Sequence, residues 1–282
     1  MLWNVEGVRI TRVVEHVMPF PVDFFAEATP AHVAAEPWLV PDFVDSRGWY
    51  LMSFHTFVVE AGGRCIVVDT CTGNSKDRPL IPEFDHQRRP FLADLAAAGF
   101  APESVDMVVC THLHVDHVGW NTRLEDGRWI PTFPRARYLF GAADIDHWSN
   151  SEDPLHASAF ADSVQPVIDA GLVEPVVADT RLTAEVRIRT SPGHTPGHLS
   201  VWIGDSCVIT GDVVHHPIQC RHPEWTASGD VDPDAARATR RELLAAAAST
   251  NALVLGTHFA GTSAGRVLLT EDGYRFAPET GG

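Results

Sequence analysis

The chain has 282 residues, 45% of them hydrophobic, and its 37 acidic against 21 basic side chains give a formal net charge of −16. That length buries a sizeable core, as one α/β domain over residues 1–282 or as a domain with an elaborated edge. The negative balance repels a phosphate backbone and no Lys/Arg stripe overrides it locally, which argues against a nucleic-acid partner.

Residues 7–17 and 51–60 alternate in the two-residue period of strands. Between them, residues 18–50 form the least regular stretch, with prolines scattered among Phe20, Phe24, Phe25, Trp38, Phe43 and Trp49. Such a segment could close over a cleft as a lid, pair with a second copy in a homodimer, or pack plainly beneath a long loop. Arg64 to Asp69 reads as a buried strand ending in a turn at Asp69, and Pro90 to Ala98 as a helix with Gly99 as its stop. Val105 to Val109 is another apolar, strand-like run. Shorter helices are expected around Gly141 to Trp148 and Ser158 to Ala170, and a longer one over Asp234 to Ser249 with Pro233 near its first turn. The runs Val186 to Ile188, Cys207 to Ile209 and Leu253 to Leu255 are likewise strand-like. Strands alternating with helices point to a layered α/β sandwich.

The run Cys110-Thr-His-Leu-His-Val-Asp-His-Val-Gly119 follows one of these strands directly and places His112, His114, Asp116 and His117 within six residues. Imidazole nitrogens and carboxylate oxygens are ordinary zinc ligands, and side chains two apart on a loop at a strand end can converge on one ion. Three further segments place a His or Asp just past an apolar run. These are Ser191-Pro-Gly-His-Thr-Pro-Gly-His198 with His194, Thr210-Gly-Asp-Val-Val-His-His-Pro217 with Asp212, and Gly256-Thr-His-Phe259 with His258. Taken singly, His194 or His258 could be an ordinary hydrogen-bonded histidine. Four strand ends supplying one donor set is the stronger pattern, because loops held by a rigid scaffold commonly carry functional groups.

In that order, THLHVDHVG, SPGHTPGH, GDVVHH and GTHF resemble the metallo-β-lactamase superfamily over about Val58 to Phe259. The resemblance implies a four-layer αββα sandwich built from two similar halves, although no repeat is visible in the sequence. It also implies two divalent ions, zinc foremost, with manganese, cobalt or iron as alternatives. One ion would be held by His112, His114 and His194, the other by Asp116, His117 and His258, with Asp212 bridging them. Room for a water or hydroxide between the ions is the open position of a catalytic zinc site. Asp69 matches a family aspartate that supports the ligands from behind.

Such a pair lowers the pKa of water toward ~7 and polarises a carbonyl or phosphoryl oxygen. Asp116 and Asp212 are then catalytic as well as metal-binding. His215, three residues beyond Asp212, is a candidate for hydrogen-bonding the substrate or protonating the leaving group. The aromatic-polar patch His216 to Trp225 is a candidate substrate wall. Flavodiiron relatives carry a carboxylate where His114 stands, and glyoxalase-type thioesterases use basic residues that are not evident here. The segment SPGHTPGHLSVWI followed by GDVVHH is similar to the branch of quorum-quenching lactonases and methyl-parathion-hydrolase-like hydrolases. The lactonases typically have tyrosine where this chain has His215, a departure that leaves lactone, other small neutral ester and organophosphate triester open as substrates. Thioesterase and metal-dependent oxidoreductase activities are the more distant alternatives.

Two features bear on location. The start Met1-Leu-Trp-Asn-Val-Glu-Gly lacks the basic and apolar segments of a secretory signal, and no apolar run approaches the ~20 residues of a membrane helix. Five cysteines without a CxxC pair suit reduced thiols in the cytoplasm, with Cys65, Cys110 and Cys207 as small core residues.

Overall fold

Short apolar runs without a polar break, such as Ile66-Val67-Val68, form strands buried on both faces. In the computed structural model, which describes residues 1–279, these strands build two sheets. The first begins with β1 (Leu2–Val5), β2 (Val8–Phe20), β3 (Tyr50–Ala61), β4 (Arg64–Val68) and β5 (Met107–Val109). A separate hairpin, β6 (Thr122–Glu125) and β7 (Arg128–Pro131), intervenes before β8 (Arg137–Gly141) and β9 (Val173–Val176) complete the order β1-β2-β3-β4-β5-β8-β9. The second sheet takes its strands in chain order: β10 (Thr180–Arg181), β11 (Val186–Thr190), β12 (Leu199–Ile203), β13 (Cys207–Ile209), β14 (Leu253–Leu255), β15 (Ala264–Thr270) and β16 (Gly273–Pro278). Parallel pairing is confined to β4-β5-β8-β9 and β13-β14.

The two-residue period sorts each strand's side chains between layers. Ile66, Val68, Met107 and Val109 meet Ile209, Leu253 and Leu255 between the sheets. Val67 and Val108 face outward to Phe91 and Leu95 of the helix Phe91–Ala97, whereas Val208 and Val254 face outward to Leu243, Leu244 and Ala247 of the helix Pro233–Thr250. The result is the four-layer αββα sandwich. Each fully buried Val, Leu or Ile contributes about 1.5–3 kcal/mol, so both faces of these short strands resist substitution. No helix among the described residues is long and apolar enough to cross a membrane. Cys110 and Cys207 are core residues as expected, whereas Cys65 is only half-buried.

Several elements differ from the sequence expectation. The strand expected over 7–17 runs to Phe20, so the irregular stretch is shorter than 18–50. What remains is a chain of short turns whose Phe25, Leu39, Phe43 and Val44 are fully buried in the cluster that also holds Phe259 and Phe276. The helix expected over Ser158 to Ala170 starts earlier, at Pro154, where Asp153 Oδ1 accepts from the amides of Leu155 and His156. It loosens into a π turn at Phe160–Val164 before continuing as Gln165–Asp169. Pro166 explains the change, because it has no N–H to offer the carbonyl of Asp162. That carbonyl instead accepts from Thr122 Oγ1 at 2.5 Å and Lys76 Nζ at 3.2 Å.

Lys76 thus belongs to a buried clamp. Its ammonium donates to Thr122 Oγ1 at 2.6 Å and lies 3.6 Å from the Trp129 ring centroid, while Arg78 holds both Asp162 oxygens at 2.8 Å. Burial pushes the Lys76 amine down to about 7, against the opposing pull of Asp162. Between that value and its ordinary 10.5, the unfolded chain binds the extra proton, so this group's contribution to stability rises with pH. The unfolding free energy of wild type relative to Lys76→Met, from urea titrations at about pH 7 and about pH 8.5, should therefore increase at the higher pH. A flat or falling difference would mean that the ammonium stays charged.

Candidate metal centre

The parallel strands end at one edge of the sandwich, and the loops beyond them carry the polar residues. β4 delivers Asp69, β5 the loop 110–118, β13 Asp212 and β14 His258, while His194 sits on the turn between β11 and β12. The 110–118 loop is held from both sides. Thr70 N and Oγ1 donate to the His117 carbonyl, and the amide of Leu113 donates to Asp144 Oδ2. Asp69, at φ 58°, turns its carboxylate to accept from the Thr111 amide at 2.7 Å and the Thr111 hydroxyl at 2.9 Å. A left-handed conformation in a non-glycine residue costs about 1–3 kcal/mol, which these hydrogen bonds offset.

All seven expected donors come together. His112 Nε2, His114 Nδ1 and His194 Nε2 form one group, with His114 Nδ1 3.0 Å from each of the other two. Asp116, His117 and His258 form a second, in which the two Nε2 atoms are 3.1 Å apart and Asp116 Oδ2 lies 3.4–3.6 Å from them. Asp212 stands between the groups. Its Oδ2 is 3.7 Å from His112 Nε2, 3.5 Å from His194 Nε2 and 3.4 Å from His117 Nε2, and its Oδ1 is 3.3 Å from His258 Nε2. Tetrahedral ligands at ~2.0–2.1 Å from an ion sit about 3.3 Å from one another, so these separations suit a divalent metal. The buried Asp212 Oδ1 has no hydrogen-bond donor, a costly arrangement that a cation would relieve.

The electrostatics differ between the two groups. Burial, helped by neighbouring imidazoles, holds His112 and His114 well below the usual histidine range, which keeps their ring nitrogens free to coordinate. For His117 and His258, burial acts in the same direction but the carboxylates, Asp212 foremost, outweigh it and raise both. Asp212 is desolvated, yet the surrounding imidazoles keep its carboxyl well below the ordinary range.

The ring nitrogens turned away from the centre also have neighbours. His194 Nδ1 is 2.9 Å from Asp230 Oδ1, His258 Nδ1 is 3.1 Å from the Ser53 carbonyl, and His112 Nδ1 is 3.1 Å from Thr111 Oγ1. His117 Nδ1 approaches Asp69 Oδ2 to 3.0 Å, off the hydrogen-bond direction, so that contact is electrostatic. Asp144, Asp230 and His198 escaped the sequence reading. Asp144 accepts from Leu113, Thr195 and Gly197 and so joins the 110–118 loop to the His194 turn. His198 accepts from the Asp212 amide at 2.9 Å and contacts Ser191 Oγ at 2.8 Å, so it orients Asp212. Only His198 left a trace in the sequence, as the second histidine of SPGHTPGH.

A cavity of about 560 Å3 opens above the cluster, walled by Met18, Phe20, Phe24, Met52, Phe54 and Phe84 and bearing His215, His156, Ser228 and Glu83. Among the described residues, no lysine or arginine lines it. His215 Nε2 is 3.2 Å from Asp212 Oδ2, and burial lowers its basicity against the opposing effect of Asp212. The expected wall His216 to Trp225 does not face this space. His216 is buried against the Phe43 carbonyl, and Trp225 against Phe25 and His222, because this segment fills the core beneath the irregular arm. A larger groove of about 840 Å3 runs along that arm, lined by Val22, Val33, Val44 and Trp49, and contains none of the donors.

A largely buried His/Asp cluster on strand-end loops of an αββα sandwich is a donor set suited to divalent metal. The chain belongs to the metallo-beta-lactamase superfamily, whose sequence model matches residues 54–258. Among curated relatives it is 28% identical over 131 residues to an N-acyl homoserine lactonase from a Bacillus species, a match covering 46% of this chain and 45% of that protein. It is 25% identical over 112 residues to a probable metallo-hydrolase of Methanocaldococcus jannaschii, covering 40% of this chain and 50% of the relative. The matches thus span half or less of these relatives' lengths. Two solved structures share the fold over 99% of this chain, each with a TM-score of 0.82. One is the hydrolase AbOPH, at 22% identity and 96% coverage of its own chain, and the other is AidC, a dizinc quorum-quenching lactonase bound to its product, at 20% and 97%.

Gly211 adjoins Asp212 at φ 54°, and a Cβ there would lie 2.5 Å from His198 Nε2. Gly211→Ala should therefore lower stability by about 1–3 kcal/mol or more, read as a reduced urea midpoint. An unchanged midpoint would show that the loop relaxes freely.

Proposed function

We propose that the chain is a dinuclear metal-dependent hydrolase acting on a small neutral lactone or ester. Support comes from two donor groups sharing Asp212 at the floor of a cavity whose walls are largely apolar and, among the described residues, carry no lysine or arginine. His112, His114 and His194 would hold one ion, Asp116, His117 and His258 the other, and Asp212 both, with zinc the metal best matched to nitrogen and oxygen donors. The pair, when bound, supplies an activated water near neutral pH and polarises the scissile carbonyl.

The chain's own residues do the rest. Asp116, partly exposed at the cavity floor, accepts the proton released by the attacking water. Burial keeps His215 neutral, which suits donating a hydrogen bond to a substrate oxygen better than delivering a proton as a cation. Phe20, Phe24, Phe54 and Phe84 exclude water and receive an acyl or aryl group. Glu83 and the absence of a basic partner disfavour carboxylate-bearing thioesters. AidC, described as dizinc and seen with N-acyl homoserine product, and the Bacillus lactonase favour lactones first. A neutral phosphotriester would fit the same walls.

Asp212→Asn should lower kcat/KM by more than ~10²-fold, beyond the 10–100-fold typical of a residue that only orients a ligand, while leaving the chain folded. Near-normal rates in a metal-verified variant, or activity that survives exhaustive chelation, would refute the reading. His215→Ala should cut kcat by about 10- to 100-fold, the worth of a hydrogen bond to a charged group, with metal content retained. Unchanged kinetics across a panel of lactones, aryl esters and phosphotriesters would remove its role.

A further inference from the structure

Asp230 and Arg240 form a fully buried acid–base pair beside the centre, and neither is one of the seven donors. Arg240, on the helix Pro233–Thr250, donates Nε to the Val213 carbonyl at 2.7 Å and Nη1 to the carbonyls of Pro223 at 3.0 Å and Trp225 at 2.6 Å. Its Nη2 lies 3.6 Å from Asp230 Oδ2, which also accepts from the Ala227 amide at 3.0 Å. One guanidinium therefore gathers Val213, Pro223 and Trp225, which lie between Asp212 and the cavity wall at Ser228 and Gly229. The other carboxylate oxygen of Asp230 meets His194 Nδ1 at 2.9 Å. Backbone bonds from Val231 N to the His194 carbonyl and from Asp232 N to the Gly193 carbonyl hold the two loops in register.

A buried carboxylate this close to Nδ1 fixes the tautomer. Nδ1 carries the hydrogen, Nε2 carries the lone pair, and Nε2 is the atom grouped with His112 and His114. Each donor group then has one imidazole beside a carboxylate, His194 hydrogen-bonded to Asp230 and His117 in electrostatic contact with Asp69. We propose that Asp230, held by the Ala227 amide and facing the Arg240 guanidinium as an ion pair, is a positioning residue that holds His194 with its Nε2 aimed into the His112/His114/His194 group and thereby sets that group's metal affinity. The inference rests on the metal-binding reading above.

The test uses full-length wild type, Asp230→Ala and Asp230→Asn, with zinc stoichiometry and affinity measured by competition against a chromophoric chelator and with the visible spectrum of the cobalt-substituted forms. Asp230→Ala should weaken one of two bound ions by about 10- to 100-fold and alter the cobalt bands, leaving the second ion near wild-type affinity. Asp230→Asn, whose amide oxygen can still accept from Nδ1, should recover part of the loss. Wild-type affinity and cobalt spectrum in Asp230→Ala overturn the proposal, even if turnover falls. If Asp230→Ala does not fold, a weakened ion in folded Asp230→Asn supports it and unchanged binding overturns it. Wild type that binds no metal defeats the metal-binding reading itself, and this proposal with it.

Discussion

A desolvated carboxylate must be matched by positive charge or donors, and the Asp212 carboxylate is where this chain meets that demand. It lies almost wholly inside the protein with imidazoles of His112, His117, His194, His215 and His258 around it and no donor for one oxygen. Hydrophobic burial alone would expel such a group. The fold tolerates it because histidines from four separate segments are brought within reach by strand ends whose own positions are set by core packing. Removing metal from such a site leaves uncompensated charge and lone pairs facing one another, so folding and metal loading are thermodynamically linked if the cluster is filled as proposed.

The sandwich supplies the rigidity that this convergence needs. Strands β4, β5, β13 and β14 are only three to five residues long, yet each is buried on both faces and paired in parallel with its neighbour. Strained backbone at Asp69 and the obligate glycine at Gly211 sit immediately beyond these ends. The strain is placed where the chain must reverse direction and still present a side chain inward. Asp144 and His198 then tie loop to loop, so that the His112 to His117 run and the His194 turn move as one body.

Legibility in the sequence followed the range of the interactions. Strands β4, β5, β13 and β14 were readable because double burial leaves an unbroken apolar run, and the donors were readable because they cluster soon after such runs, whereas β12, equally buried but interrupted by Ser200, and β8, which opens on Arg137, were not. Asp230 and Arg240 were not, since an isolated Asp in Ser228-Gly-Asp-Val231 and an Arg on an alanine-rich helix resemble solvent-facing residues until the helix is docked. The start of the helix at Pro154 and its π turn depended on Thr122 and Lys76 satisfying a carbonyl across the fold, a contact no local pattern encodes. The edge strands β1 and β16, and β15 beside β16, were likewise missed, as pairing along the sheet rather than periodicity decides them.

Substrate orientation presents an electrostatic problem that the walls cannot solve. The cavity lining offers aromatic and aliphatic surface, which contributes binding energy roughly in proportion to area but no direction. Away from the proposed metal ligands Asp116 and Asp212, its ionisable member other than histidine is Glu83, so a carboxylate on the part of a ligand that lies against the walls would meet repulsion and no partner. Direction must then come from the floor, where polar atoms are concentrated, and from N–H groups such as that of His215. An apolar sleeve over a polar floor selects a ligand with one polar, reactive end and an uncharged remainder. On the proposed reading, the sleeve would select acyl or aryl groups by how closely they fill it, because dispersion falls steeply with small gaps, while discrimination among reactive ends would fall to the few groups surrounding Asp212.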